Sequence, residues 1–99
     1  MSGRRGPDAA TALGRALLRD AGAAGCAVEL IGASARPWAS ATFVGERVTL
    51  DLRLDEEADA WLASLAEAEL ATAGWLVADL TAEAAPGGAV VAALMLREA

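Results

Sequence analysis

The stretch PWASATFVGERVTLDLRL, residues 37–54, decides how the sheet of this chain is predicted to form. Apolar and polar residues alternate on both sides of Gly45-Glu46, a pattern typical of two antiparallel strands joined by a two-residue turn. A glycine at the first turn position favours a type II′ turn. The apolar residues then share one face, in the pairs Phe43 and Val48, Ala41 and Leu50, and Ala39 and Leu52. The polar residues share the other face, in the pairs Thr42 and Thr49, Ser40 and Asp51, and Trp38 and Arg53.

The residues before this hairpin predict a helix and a strand. Pro7-Asp8 suits the first turn of a helix. Apolar residues then recur with a helical period until Gly22 or Gly25, where the helix is expected to end. The period changes to two over residues 26–31, which predicts a strand, and residues 32–36 are expected to form a loop.

The residues after the hairpin predict a second helix and a second hairpin. Asp55 is a suitable N-cap, and the apolar stripe that follows it is expected to end between about Leu65 and Glu69. Residues 75–96 contain two apolar strand patterns separated by Pro86-Gly87-Gly88, which predicts a hairpin with its turn at these residues.

The predicted order of elements is α-β-β-β-α-β-β. This order indicates a single α+β domain of residues 7–99, in which two helices cover one face of an antiparallel sheet, after a flexible tail of residues 1–6. The last strand, residues 89–96, is apolar on both sides. The other face of the sheet is therefore expected to be open and partly apolar, with contributions from Trp38, Trp75, Val77, Leu94 and Leu96.

Composition limits the chemistry that the chain can perform. Its 99 residues include no His, Lys, Tyr, Asn or Gln and one cysteine, Cys26, so no metal and no cofactor is predicted. Cys26 has no histidine to activate it and is interpreted as a structural thiol. Asp79, in an apolar strand, and Asp51 are the candidates for a carboxylate-based enzyme, which is the weakest functional hypothesis. The acidic group near the second helix is interpreted as helix capping rather than a metal site: Asp51, Asp55, Glu56, Glu57 and Asp59.

Charge and hydropathy disfavour two classes of partner. The net charge of −6 repels polyanions, so nucleic acid is disfavoured as a partner. No apolar run approaches the ~20 residues that span a bilayer. Arg15, Arg19 and Asp20 interrupt the region where a signal peptide needs a continuous apolar stretch. A cytoplasmic protein without membrane contact is therefore expected.

One local basic patch is predicted on the polar side of the first hairpin, or at its rim: Arg36, Trp38, Arg47 and Arg53. Arginines beside an exposed indole can bind a carboxylate or phosphate group, or stack on a base. The alternative is that Trp38 packs on Arg53 as an ordinary cross-strand pair, with Asp51 neutralising the patch.

The leading functional hypothesis is a non-enzymatic interaction protein that forms a homodimer, or binds another protein, through outer strand faces including Trp75, Leu94 and Leu96. The order of elements over residues 8–96 is similar to that of the small chaperones of type III secretion systems, which form dimers and bind extended client segments. Its first five elements also resemble those of double-stranded RNA-binding domains, but the acidic start of the second helix opposes duplex RNA. The second hypothesis is a platform for single-stranded nucleic acid or a small anionic ligand on the Arg/Trp hairpin.

Overall fold

The computed structural model describes residues 8–55 and 58–98. The elements in this part of the chain are α1 (Ala9–Ala23), β1 (Val28–Ala39), β2 (Val44–Leu54), α2 (Asp59–Ser64), β3 (Trp75–Ala85) and β4 (Gly88–Arg97). A 3₁₀ turn, Leu65–Glu67, continues α2. The strands form one antiparallel sheet in the order β1-β2-β4-β3. The predicted α+β class, with two helices and an antiparallel sheet, is confirmed. The predicted tail, residues 1–6, lies outside the described residues.

The first hairpin differs from its prediction. The predicted strand 26–31, the predicted loop and the first arm of the hairpin belong to one long strand, β1, so two strands and not three separate the helices. The order is therefore α-β-β-α-β-β. The similarity to type III chaperones and to double-stranded RNA-binding domains depended on a third strand at this position, and that basis is lost.

The turn between β1 and β2 lies at Ser40–Phe43 and not at Gly45-Glu46. The Ser40 hydroxyl accepts hydrogen bonds from the backbone N–H groups of Thr42 and Phe43, at 3.3 and 3.1 Å. The Ser40 N–H in turn donates to the Phe43 carbonyl, at 2.8 Å. The serine thus satisfies the polar groups of the turn locally. Gly45 lies inside β2, where it pairs with Trp38 on one side and Leu96 on the other.

A glycine is required at position 45 by the approach of β4. A Cβ atom there would lie 3.0 Å from Leu96 Cα and well inside van der Waals contact with the carbonyl oxygen of Met95. Gly88, at the other end of the β2–β4 pairing, meets the carbonyl of Leu52 in the same way. Both ends of this central pair of strands therefore require glycine, because a side chain would overlap the backbone of the neighbouring strand.

The core lies between the helices and one face of the sheet. Val48, Leu50 and Leu52 of β2, which the alternation predicted to share a face, are all buried there. They lie beside the inward residues of β4, and the helices close the core from the other side with Leu13, Leu17, Trp61, Leu62 and Leu65. Burial of each of these large side chains contributes roughly 1.5–3 kcal/mol, so this interface dominates the stability of the fold.

Specific hydrogen bonds fix the two helices. Asp8 is the N-cap of α1, and its carboxylate accepts a hydrogen bond from the Thr11 N–H at 2.8 Å. This bond lowers the pKa of the Asp8 carboxyl below its usual value. The Trp61 indole N–H of α2 donates to the Asp20 carboxylate of α1 at 2.8 Å, which joins the helices. The Arg19 guanidinium reaches the Ala71 carbonyl at 3.0 Å and holds the segment after α2.

The 3₁₀ turn that continues α2 ends at Glu67, within the range predicted for the end of the second helix, although α2 itself ends at Ser64. Its start differs. Ala58 occupies the N-cap position of α2 and its N–H donates to the Asp55 carbonyl at 3.1 Å, while no side chain within residues 8–55 and 58–98 forms a capping hydrogen bond to the helix. Residues 56 and 57 lie outside the described part of the chain.

The second hairpin is confirmed, with one correction to its faces. Ala85 pairs with Gly88 across Pro86-Gly87, and Gly87 has a positive φ of 73°, as a proline–glycine turn requires. A register shift at Ala78, between Val77 and Asp79, reverses the side-chain alternation in the first part of β3.

Candidate functional site: the open face of the sheet

The face of the sheet turned away from α1 and α2 carries alternate residues of all four strands, and we call it the open face. The register of the strands arranges these residues in rows across the sheet. Written in the order β1, β2, β4, β3, the apolar row is Trp38, Gly45, Leu96 and Leu76, and the arginine row is Arg36, Arg47, Leu94 and Asp79. The hydroxyl row is Ser34, Thr49, Ala92 and Thr81. The acidic row is Gly32, Asp51, Val90 and Glu83, and the end row is Glu29, Arg53, Gly88 and Ala85.

The apolar row forms a hydrophobic surface beside the β1–β2 turn. Leu96 is only 8% exposed although neither helix packs on this face, so its neighbours within the sheet cover it. Trp38 is half-buried, whereas Leu76 and Phe43 are 52% and 51% exposed. Phe43 was predicted to face the core opposite Val48, but it lies at the edge of the turn. It lines an open groove with Leu76 and Leu96.

The arginine row places two like charges side by side. Arg36 lies directly opposite Arg47. Neither side chain forms a salt bridge with any residue in the ranges 8–55 and 58–98. Such a pair is destabilising by itself, because the charges repel across the strands. Asp79 lies in the same row, beyond Leu94, and is exposed. The row therefore carries positive charge at one edge of the sheet and negative charge at the other.

The predicted basic patch is divided by the true register. Arg36, Trp38 and Arg47 lie together, as predicted, but Arg53 lies in the end row opposite Glu29. Arg53 forms a salt bridge with Glu29 at 2.9 Å, which neutralises its charge locally. The predicted pairing of Trp38 with Arg53 is wrong because the turn lies at 40–43, which moves Trp38 opposite Gly45.

Two predicted members of the open face, Trp75 and Val77, turn toward the core. Trp75 is 4% exposed, packs with the core cluster and lies under the Arg97 guanidinium, 4.6 Å from the ring centroid. The shift at Ala78 causes this reversal and brings Leu76, which the sequence analysis missed, to the open face. Val77, also predicted there, turns inward with Trp75. Nothing in the local sequence marks the bulge. Leu94 and Leu96 lie on the open face, as expected.

The other candidate groups form no recognisable catalytic arrangement. Cys26 is a half-buried free thiol whose Sγ lies 4.0 Å from the Ala24 carbonyl oxygen. Asp51 and Asp79 are exposed side chains of the open face. Within residues 8–55 and 58–98, no group of three or more Cys, Asp or Glu side chains is arranged to hold a metal. Of the acidic group near α2, Glu56 and Glu57 lie outside the described residues. No helix in the described segments has the length and hydrophobicity needed to cross a membrane.

Comparison with known proteins gives no family to which the chain could be assigned. No family model matches it, and no match is found among the curated proteins or the solved structures. The function is therefore inferred from the open face itself.

Proposed function

We propose that this protein is a non-enzymatic interaction domain that binds a protein partner through the open face of its sheet. The observation that carries this proposal is the apolar row, together with Leu94, on a sheet face that neither helix covers. Tryptophan and arginine are enriched among the residues that dominate binding energy at protein interfaces, and a contiguous exposed apolar surface commonly marks an interaction site.

The fold itself does not need this apolar surface. The inward side chains Leu50, Val91 and Met95 are fully buried by the helices, so the core is complete without the open face. Leu76 and Phe43 nevertheless remain about half exposed. Covering such side chains releases about 25 cal/mol per Å² of apolar surface, which favours association with another molecule.

The side chains of the open face give less support to an enzyme. Apart from Glu29, which forms a salt bridge, the carboxylates in the five rows of the open face are all exposed: Asp51, Asp79 and Glu83. Catalytic carboxylates are commonly buried or held beside a close charged or hydrogen-bonding partner. The full sequence contains no histidine or lysine to act with them.

A second candidate function is supported by Arg36 and Arg47. The two arginines lie opposite each other on neighbouring strands, near Trp38, and guanidinium groups are suited to binding a carboxylate or phosphate group. A titration with a short oligothymidylate at low salt tests this candidate. Quenching of tryptophan fluorescence that disappears in Arg47→Ala would support it, and an unchanged signal at low salt would remove it.

The proposed function is tested by site-specific photocrosslinking in the cells that express the protein. A photoreactive amino acid at Leu76, on the open face, is compared with one at Leu18, an exposed leucine on α1. Protein adducts are expected at position 76 and not at position 18. Absence of adducts at position 76, or equal adducts at both positions, would overturn the proposal. Mass spectrometry of the adducts identifies the partner.

A further inference from the structure

We infer that the partner is a second copy of this chain, and that two open faces pack on each other about a two-fold axis parallel to the strands. This inference rests on the proposed function, since it names the partner of the same surface. In this arrangement every row faces its own counterpart, while β1 lies over β3 of the second copy and β2 lies over β4.

The apolar row is self-complementary in this arrangement. Trp38 of each chain faces Leu76 of the other, so two pairs of large apolar side chains cover each other. Leu96 faces the backbone at Gly45, a position with no side chain to oppose it. Large residues facing small ones allow two sheets to approach within the roughly 10 Å that close packing needs.

The arginine row is complementary in charge. Arg36 of one chain faces Asp79 of the other, twice in each dimer, and Arg47 faces Leu94. An arginine side chain is long enough to compensate for the rotation of about 30° between aligned sheets. The acid relieves the repulsion that Arg36 and Arg47 experience within one chain.

The remaining rows present no like charges to each other. In the hydroxyl row Thr49 faces Ala92. In the acidic row Asp51 faces Val90 and Glu83 faces Gly32. The carboxylates of one chain therefore do not lie directly over those of its partner. A chain with a net negative charge needs this separation in order to form a dimer.

A two-fold axis perpendicular to the strands fits the same surface less well. It would place the apolar row over the end row, so that Trp38 faces Glu29, and the arginine row over the acidic row. Arg47 would then gain Asp51, but Asp79 would face Glu83 at close range. That arrangement covers apolar side chains with charges and opposes two carboxylates.

The edges of the sheet favour face packing over edge pairing. β1 carries Pro37, which has no N–H to donate, and a register shift between Leu30 and Gly32. β3, at the other edge, carries the shift at Ala78. Proline and bulges at edge strands block the addition of another strand.

The area of the open face suits a reversible dimer. Four strands about 4.8 Å wide and five rows about 6.8 Å deep give roughly 650 Å² per chain. The total of about 1,300 Å² lies near the lower limit for specific protein interfaces.

The inference is tested by sedimentation velocity over a wide concentration range, with exchange of the charges at positions 36 and 79. The wild type is expected to dimerise reversibly. Arg36→Asp and Asp79→Arg each place like charges opposite each other and are expected to weaken the dimer at least about tenfold. The double variant Arg36→Asp/Asp79→Arg is expected to regain most of the affinity. Circular dichroism checks folding, which exposed substitutions should preserve.

A matched pair of variants tests the direction of the axis. The double variant Arg47→Asp/Asp51→Arg would regain the affinity lost in its single variants only if the axis were perpendicular to the strands. Rescue by this double variant, without rescue by Arg36→Asp/Asp79→Arg, overturns the inference. A wild type that stays monomeric also overturns it. Photocrosslinks from Leu76 to a different protein would then leave the proposed function in place, whereas absence of any adduct would refute both.

Discussion

Substitution of Gly45 by alanine tests the register of the central strands. The new Cβ atom would overlap the Met95 carbonyl and lie 3.0 Å from Leu96 Cα, and both are backbone atoms that cannot rotate away. β2 must therefore separate from β4 at this end of their pairing. Because Gly45 and Leu96 are the last pair of that ladder, the damage stays local. The expected loss is about 2–3 kcal/mol, in the upper range for overpacked sites.

The loss is measured by urea unfolding, followed by circular dichroism and tryptophan fluorescence. A domain of this size has a stability of roughly 5–15 kcal/mol, so Gly45→Ala remains folded at room temperature. Its melting temperature should fall by about 10–20 °C. Gly22→Ala is the control. Gly22 lies within α1 with no atom near the added Cβ, and alanine there is expected to stabilise by about 0.5 kcal/mol.

The refuting result is a Gly45→Ala variant within about 0.5 kcal/mol of wild type. Such a value would mean that β4 does not approach β2 at this position. The pairing of Gly45 with Leu96, and with it the apolar row, would then be wrong.

Three further substitutions test individual contacts. Trp61→Phe removes the 2.8 Å hydrogen bond to Asp20 and should cost about 1–2 kcal/mol in urea unfolding, whereas no loss would show that the helices are not joined there. The Arg53–Glu29 pair is 63% exposed on both sides, so a double-mutant cycle to alanine should give a coupling below about 0.5 kcal/mol. Asp8→Ala should cost about 1 kcal/mol at neutral pH. Because the folded-state pKa of Asp8 is lowered, this contribution is fully present above its unfolded pKa, near 3.8, and is lost as the pH falls through the lower folded value. A difference from wild type that persists unchanged at lower pH would contradict this role.

The parts of the fold with local signals could be predicted from the sequence. The helical period identified α1, the apolar stripe after Asp55 located the end of the 3₁₀ turn that continues α2, and the turn at Pro86-Gly87 defined the second hairpin. Each of these signals acts over a few residues, so tertiary contacts did not override it.

The prediction of the first hairpin failed because two strand registers satisfy the same alternation of apolar and polar residues. Both place Val48, Leu50 and Leu52 on one face, so the pattern cannot distinguish a turn at Gly45 from a turn at 40–43. The deciding contact is the approach of Met95, which lies fifty positions further along the chain.

Part of the open face could be predicted from the same alternation of apolar and polar residues. The sequence pattern placed five of its residues correctly: Arg36, Trp38, Arg47, Leu94 and Leu96. No register shift occurs at these positions, so the side chains alternate between the two faces as the pattern predicts. The exchange of Trp75 for Leu76 and the separate position of Arg53 depend on a bulge and on the strand partner. Both are set by long-range packing, which a single sequence does not display.

The most direct test of the central claim, that two open faces meet, is an NMR spectrum recorded at high and low protein concentration. On dilution, the Trp38 indole and the methyl groups of Leu76 and Leu94 are expected to shift, while those of Leu18 on α1 stay constant. Shifts that do not change with concentration, or that change at Leu18 and not on the open face, would contradict the account.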